Sequence, residues 1–144
     1  GNTNRTQSYH LTSSGKDELI SAIISYSTEI IQLYGAAKKE LARRLNSMYS
    51  DGVRNIALFG AAETAEVVYA AIKETPLRVM AIVDSDPKKQ GKPFNELIIQ
   101  PPERLKKVDM DAVVITSFAR QEEIHECIKA LLGNKVKVKK LSEL

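Results

Sequence analysis

Residues 56–86 read IALFGAAETAEVVYAAIKETPLRVMAIVDSD: an apolar strand, a glycine turn, a helical stretch, and a second apolar strand that ends in acids. That order outlines a βαβ unit of the kind that holds a mononucleotide. The nucleotide fingerprint puts glycines at the first, third and sixth places of the turn. They serve the tight turn, close approach of a pyrophosphate to the backbone, and helix packing. Here those places hold Gly60, Ala62 and Ala65. With one of the three glycines present, the stretch indicates a fold and a ligand class but not a reaction.

Outward from this unit, strand and helix patterns alternate to the end of the chain. Strands are expected at 54–59, 78–84, 111–116 and 135–140, with a weaker one at 97–99, and helices at 62–74 and 121–132. The runs IALF, VMAIV and AVVI are continuously apolar, as strands are when helices cover both faces of a parallel sheet. The last strand alternates Val136 and Val138 with Lys135, Lys137 and Lys139, which suits a half-buried edge whose lysines discourage stray pairing. Pro101-Pro102 before Glu103-Arg104-Leu105 starts a short helical turn, with proline where a helix tolerates it. The fold class is α/β, a parallel sheet covered by helices.

Upstream, one long amphipathic helix is expected from about Ser14 to Ser50. Leu19, Ile20, Ile23, Ile24, Ile30, Ile31, Tyr34, Ala37, Leu41, Leu45 and Met48 fall on one broad face. Ser14 and Asp17 resemble a capping box at its start. The turn-forming pair Asp51-Gly52 closes it, dividing the chain into a first part, 1–52, and a second, 53–144. At 1.5 Å per residue such a helix is about 55 Å long, more than a domain of under a hundred residues covers. Ile20, Ile23, Ser27, Ile30, Tyr34, Ala37 and Leu41 recur at alternating steps of three and four, so a homodimer seam is expected. Bending back onto its own domain is the alternative.

Composition narrows the class further. The 144 residues are 43% hydrophobic, enough for one core. The net charge of +3 is spread evenly over the two parts and is weak support for nucleic-acid binding by this chain itself. No apolar run approaches the roughly 20 residues that span a bilayer, and the polar start GNTNRTQS does not suit a secretory signal. A cytoplasmic protein without membrane contact is expected. Cys127 is the single cysteine and reads as inert packing on a helix.

Ligands of such sheets bind outside the carboxyl ends of the strands, so three loops hold the candidate residues. The first is Gly60, Ala61, Ala62, Glu63 and Thr64, where amides at the helix start suit a phosphate. Glu63 and Glu66 bring negative charge beside it, or simply stabilise the helix N-terminus by about 0.3–1 kcal/mol each. The second is Asp84, Ser85 and Asp86. Asp84 stands 24 residues after Gly60, near the spacing of an acid that binds a ribose, and Asp86 before Pro87 also reads as a turn former. The third holds Ser117, a candidate cap for the next helix, and Arg120, a fork of donors for phosphate or carboxylate. No catalytic or metal-ligating set is assigned: His125 lacks the second histidine of a metal helix, and His10 stands in the polar lead-in.

Two stretches resemble known families. Residues 54–141 are similar to the Rossmann-like nucleotide-sugar-binding domain of polysaccharide-biosynthesis dehydratases, related sugar transferases and some sugar methyltransferases. The likeness rests on GAAETA at 60–65, VDSDPKKQG at 83–91 and DAVVITS at 111–117. It implies a nucleotide-type ligand, NAD(P) or a nucleotide sugar, at Gly60 to Thr64, Asp84 to Asp86 and Ser117. Residues 9–45 resemble the end of a MarR-type winged-helix regulator. There Tyr9-His10-Leu11-Thr12-Ser13-Ser14-Gly15 is similar to the step from the wing into the dimerisation helix. Together the resemblances imply part of a transcriptional regulator: a dimerising helix joined to a ligand sensor, with the DNA-reading module upstream of Gly1. An accessory or enzyme fragment of nucleotide-sugar metabolism and a ligand-free dimerisation scaffold are the alternatives.

Overall fold

The computed structural model describes residues 10–144. Tyr9, which opens the MarR-like step, lies outside them. The chain forms two compact units that meet at Ala36/Ala37, within one helix. That helix, α1, runs from Ser13 to Ser50. Its start is capped by Thr12, whose Oγ1 accepts the Gly15 N–H at 3.0 Å. This displaces the expected Ser14–Asp17 box, because Thr12 stands just ahead of the first helical residue, where a side-chain oxygen reaches the first-turn amides. In the first unit the described residues from Ser13 are all helix, and Leu19, Ile20, Ile23, Ile24, Ile30, Ile31 and Leu33 are exposed. Among the described residues no helix is long and apolar enough to cross a membrane.

The second unit, Ala37–Leu144, holds the sheet. Its strands are β1 (Asn55–Phe59), β2 (Arg78–Val83), β3 (Pro93–Phe94), β4 (Leu97–Gln100), β5 (Ala112–Ile115) and β6 (Lys137–Lys140). Helix α2 (Glu63–Ile72) joins β1 to β2, and α3 (Gln121–Leu132) joins β5 to β6. A 3₁₀ turn at Pro102–Lys107 follows β4. The spatial order is β3-β4-β2-β1-β5-β6. Every pairing is parallel except β3 with β4. The architecture is therefore the expected α/β, Rossmann-like one, with the order of connection reversing between β1 and β5. β3 was not expected. It is two residues long and begins at Pro93, which suits an edge because proline has no N–H to give a ladder.

Alternation along the central strand explains both layers. Ile56 and Leu58 face one side, where they join Ile82, Val114, Val68 and Ile72 with Leu45 and Met48 from the end of α1. Ala57 and Phe59 face the other, with Val83, Val113, Ile115, Leu105 and α3's Ile124 and Ile128. Burying one such aliphatic or aromatic side chain contributes about 1.5–3 kcal/mol, so these alternating contacts fix the strand register. Cys127 packs at the margin of the second cluster. Burial first, then Glu103, push its thiol up, which keeps it protonated and inert.

Two local features differ from expectation. α3 begins at Gln121 with Arg120 at its N-cap and no side-chain cap bond, so Ser117 does not cap it; Ser117 stands three residues too early to reach the first turn. At the opposite end of the sheet, Asp111 Oδ2 accepts the N–H groups of Arg54 at 2.8 Å and Asn55 at 2.9 Å. These two bonds, that of Asn55 first, hold its carboxyl below the usual range. Because the folded value is depressed, the stabilisation is present above the unfolded pKa of about 3.9 and is lost as pH falls through the folded value. Asp111→Asn is therefore expected to melt lower at pH 7 and to lose less on acidification from pH 5 to 2. Acid limbs that run parallel for the two proteins would refute the coupling.

Candidate functional site

Where the order reverses, the carboxyl ends of β1, β2 and β5 surround a cleft of about 330 Å³. Gly60 forms its floor in a left-handed conformation, φ +116. A Cβ there would stand 3.1 Å from Thr116 Oγ1 and 3.3 Å from the Thr116 carbonyl carbon and oxygen. The Gly60 N–H donates to Val83 O at 2.9 Å, and Thr116 N–H donates to Phe59 O at 2.9 Å. The buried Thr116 hydroxyl donates to Phe59 O at 3.0 Å and also lies against the Gly60 carbonyl. The turn is thus clamped to both neighbouring strands.

Two helix starts border this cleft without side-chain caps. Ala62 is the N-cap of α2 and has no acceptor to offer the first-turn amides; Arg120 holds the same position on α3. Such orphan amides are suited to an anion. Of the acids near these helix starts, most are engaged elsewhere. Glu66 accepts Asn95 Nδ2 at 3.1 Å, Glu122 accepts Lys140 Nζ at 2.6 Å, and Glu123 takes both Arg120 Nε at 3.1 Å and Arg120 Nη2 at 2.9 Å. Glu63 lies outside the cleft lining.

Asp84 is 5% exposed and both its oxygens are occupied. Oδ2 accepts the Ala61 N–H at 2.8 Å, and Oδ1 accepts the Asp86 N–H at 2.9 Å. It ties the glycine turn to its own loop, leaving one acceptor site on each oxygen for a further donor. Asp86 also lies outside the cleft lining. Its carboxylate accepts the Lys88 N–H at 2.9 Å and its carbonyl accepts the Lys89 N–H at 3.0 Å, the self-contained geometry of an Asx turn. That turn returns Lys89 to the cleft, with Nζ 3.8 Å from Asp84 Oδ2.

Arg120 Nη2 also donates to Ser85 Oγ at 3.2 Å. The Glu123 bonds, more than any other contact, raise the guanidinium's pKa. Both partners are substantially exposed, at 45% and 68% of the side chain, and such pairs are worth at most about 1 kcal/mol. A bound phosphate can therefore recruit Arg120 at little cost.

Of the expected site residues, the cleft gathers Gly60, Ala61, Ala62, Thr64, Asp84, Ser117 and Arg120, with Ser85 attached through Arg120. It adds Lys89, Thr116 and Phe118. A larger cleft of about 620 Å³ lies at the amino ends of the strands, around Asp111, His125 and Lys129. It is remote from the reversal point where sheets of this type bind ligands.

A family profile described as C2185-like, N-terminal, matches residues 52–139. The chain belongs to the C2185-like N-terminal family. The matched stretch includes the sheet, the cleft and the glycine turn, and it begins after the segment that resembles a MarR-type regulator. No curated protein matches the chain. Among solved structures, UDP-D-quinovosamine 4-dehydrogenase from Vibrio fischeri aligns at 17% identity over 63% of this chain and 80% of its own, with a TM-score of 0.52. At that identity the likeness is one of fold, Rossmann-like. RSP, a Rex-family repressor, aligns at 13% identity over 71% of this chain and 59% of its own, TM-score 0.48. RSP in complex with beta-NADH gives 13%, 71% and 60%, TM-score 0.49.

Proposed function

We propose that residues 53–144 are a sensor domain for a phosphate-bearing nucleotide, and that residues 1–52 carry the helix through which two copies associate. The observation that supports the sensor most directly is the convergence of two uncapped helix starts, Lys89 and Arg120 on one cleft at the reversal point. In this reading the first-turn amides of α2 and α3 hold a phosphate, Arg120 turns from Glu123 to clamp it, and Lys89 supplies a second cation. NAD(P) and nucleotide sugars remain the ligand classes. No catalytic step is assigned.

The regulator role follows from the resemblance at 9–45 and would place DNA reading in an upstream winged helix. Ligand occupancy would alter the dimer and thereby the spacing of two DNA-reading heads. Operator binding by a full-length protein, measured with and without its best ligand, checks this; equal affinity in both conditions would remove the sensor from the regulatory account.

Calorimetric titration with NAD(H), NADP(H), adenine nucleotides and uridine or thymidine diphosphate sugars tests the site itself. Saturable binding is expected, weakened at least tenfold by Lys89→Ala and by Arg120→Ala. Both side chains are partly exposed, so melting temperatures should hold. Silence across the panel would instead favour a ligand-free scaffold, in which the alanine at position 62 closes the turn to phosphate.

A further inference from the structure

Phe118 differs from the other phenylalanines of the chain. Phe59 and Phe94 are each buried in one of the two core clusters, whereas Phe118 is 61% exposed and belongs to neither. Among the described residues of the sheet unit, the exposed large hydrophobic side chains are Met80, Ile98 and Phe118, and of these only Phe118 lines the cleft at the reversal point. We propose that Phe118 is the platform on which the base of a bound nucleotide stacks, so that the cleft selects nucleotides over sugar phosphates that lack a base. The inference rests on the reading of the cleft as a nucleotide site and names the part of the ligand that it discriminates.

The loop presents the ring from a fixed place. On its amino side, Thr116 is bound to the Phe59 carbonyl through both its N–H and its buried hydroxyl. On its carboxyl side, the Arg120 carbonyl accepts the Ile124 N–H at 2.9 Å where α3 begins. Phe118 lies two residues from each anchor, so little loop freedom remains to be lost when a ligand arrives. Arg120 also brings its guanidinium and the uncapped start of α3 to the phosphate side of the cleft. Two residues span at most about 7 Å, a gap that one ribose bridges between phosphate and base.

Phosphate contacts alone do not separate a nucleotide from a sugar phosphate, because both carry the same charge. Discrimination has to come from a group that meets the base. Every nucleobase offers a flat π face to an aromatic ring, whatever the donors and acceptors on its edge. Phenylalanine has neither donor nor acceptor on its ring, so Phe118 distinguishes nucleotides as a class and not one base from another.

Calorimetric titration of the whole chain with AMP, UMP, ribose 5-phosphate and glucose 1-phosphate tests this, on the unchanged protein and on Phe118→Leu and Phe118→Tyr. Base–aromatic stacking predicts that both nucleotides bind the unchanged protein about tenfold or more tighter than ribose 5-phosphate. Phe118→Leu keeps apolar bulk without the ring, and should bring both nucleotides to the affinity of ribose 5-phosphate while leaving ribose 5-phosphate itself unaffected. Phe118→Tyr keeps the ring and should preserve the difference. Because the side chain is exposed, the three proteins should melt together. If ribose 5-phosphate binds as tightly as the nucleotides, or if the preference survives in Phe118→Leu, stacking is overturned and the phosphate cleft stands. Equal loss of the nucleotides and ribose 5-phosphate in Phe118→Leu also overturns it, since the ring would then serve the loop and not the base. Glucose 1-phosphate matching the nucleotides, and falling with them in Phe118→Leu, would overturn the base in favour of a sugar. If none of the four compounds binds, the nucleotide reading of the cleft falls and this inference with it.

Discussion

Asp84→Ala is expected to lower the unfolding free energy by about 2–5 kcal/mol with no ligand present. The Asp84 carboxylate is buried, and its two oxygens separately accept the Ala61 and Asp86 amides. Alanine leaves both part-buried donors without their acceptor, and an unsatisfied donor costs about 1–3 kcal/mol when buried and less where water reaches it. The Lys89 contact at 3.8 Å adds little, since Lys89 is exposed enough for water to replace it. Asp84→Asn separates the contributions: its carbonyl oxygen keeps one amide satisfied while its NH₂ faces the other, so an intermediate loss is expected. Urea denaturation of the three proteins measures this. A change within about 0.5 kcal/mol for the alanine variant would mean that the latch does not stabilise the turn. The result also governs how binding data are interpreted, because reduced nucleotide affinity in Asp84→Ala would report a loosened glycine turn as readily as a lost ligand contact. Lys89 and Arg120 are cleaner probes of the cleft.

The contrast between Asp84 and Lys89 shows how far the sequence carries the site. The βαβ core was legible because strands buried on both faces are apolar throughout, as IALF and AVVI are, whereas β2 is buried only from Ala81 to Val83 and leaves Met80 exposed. β3 was not, since two residues starting at a proline have no periodicity to detect. Spacing placed Asp84 at the end of β2, yet only the folded chain brings the Ala61 amide, 23 residues earlier in sequence, to within 2.8 Å of it. Lys89 is not legible in the sequence because its reach depends on the turn at Asp86 folding the loop back. The Asp86-Pro87 signal fixes the turn's shape but not what the turn returns to the cleft. Ser117 was expected as a cap because a serine follows a strand and precedes a helical pattern. The helix start lies at Gln121, an offset that local composition does not reveal. The spacing along α1 located an exposed apolar strip, while what covers it is not written in that spacing.

Gly60→Ala is expected to cost about 2–6 kcal/mol, more than any other glycine-to-alanine change in the sheet unit. Two effects combine there. A residue with a side chain held at φ +116 stores about 1–3 kcal/mol of backbone strain. The new methyl group would also press on Thr116 at 3.1–3.3 Å, overpacking of a kind that costs about 1–3 kcal/mol. Gly91 isolates the first effect: its φ is +85 but nothing lies within 4 Å of its Cβ position, so Gly91→Ala should show the strain alone. Thr116→Ala combined with Gly60→Ala isolates part of the second. Removing Oγ1 relieves the nearest contact while the Thr116 carbonyl carbon and oxygen remain at 3.3 Å. The double variant should therefore recover about 0.5–1.5 kcal/mol relative to the sum of the single changes. Equal losses for Gly60→Ala and Gly91→Ala in chemical denaturation would show that the approach of β5 places no demand on the turn. The glycine would then be required for backbone conformation alone, and its position under the cleft would say nothing about a ligand.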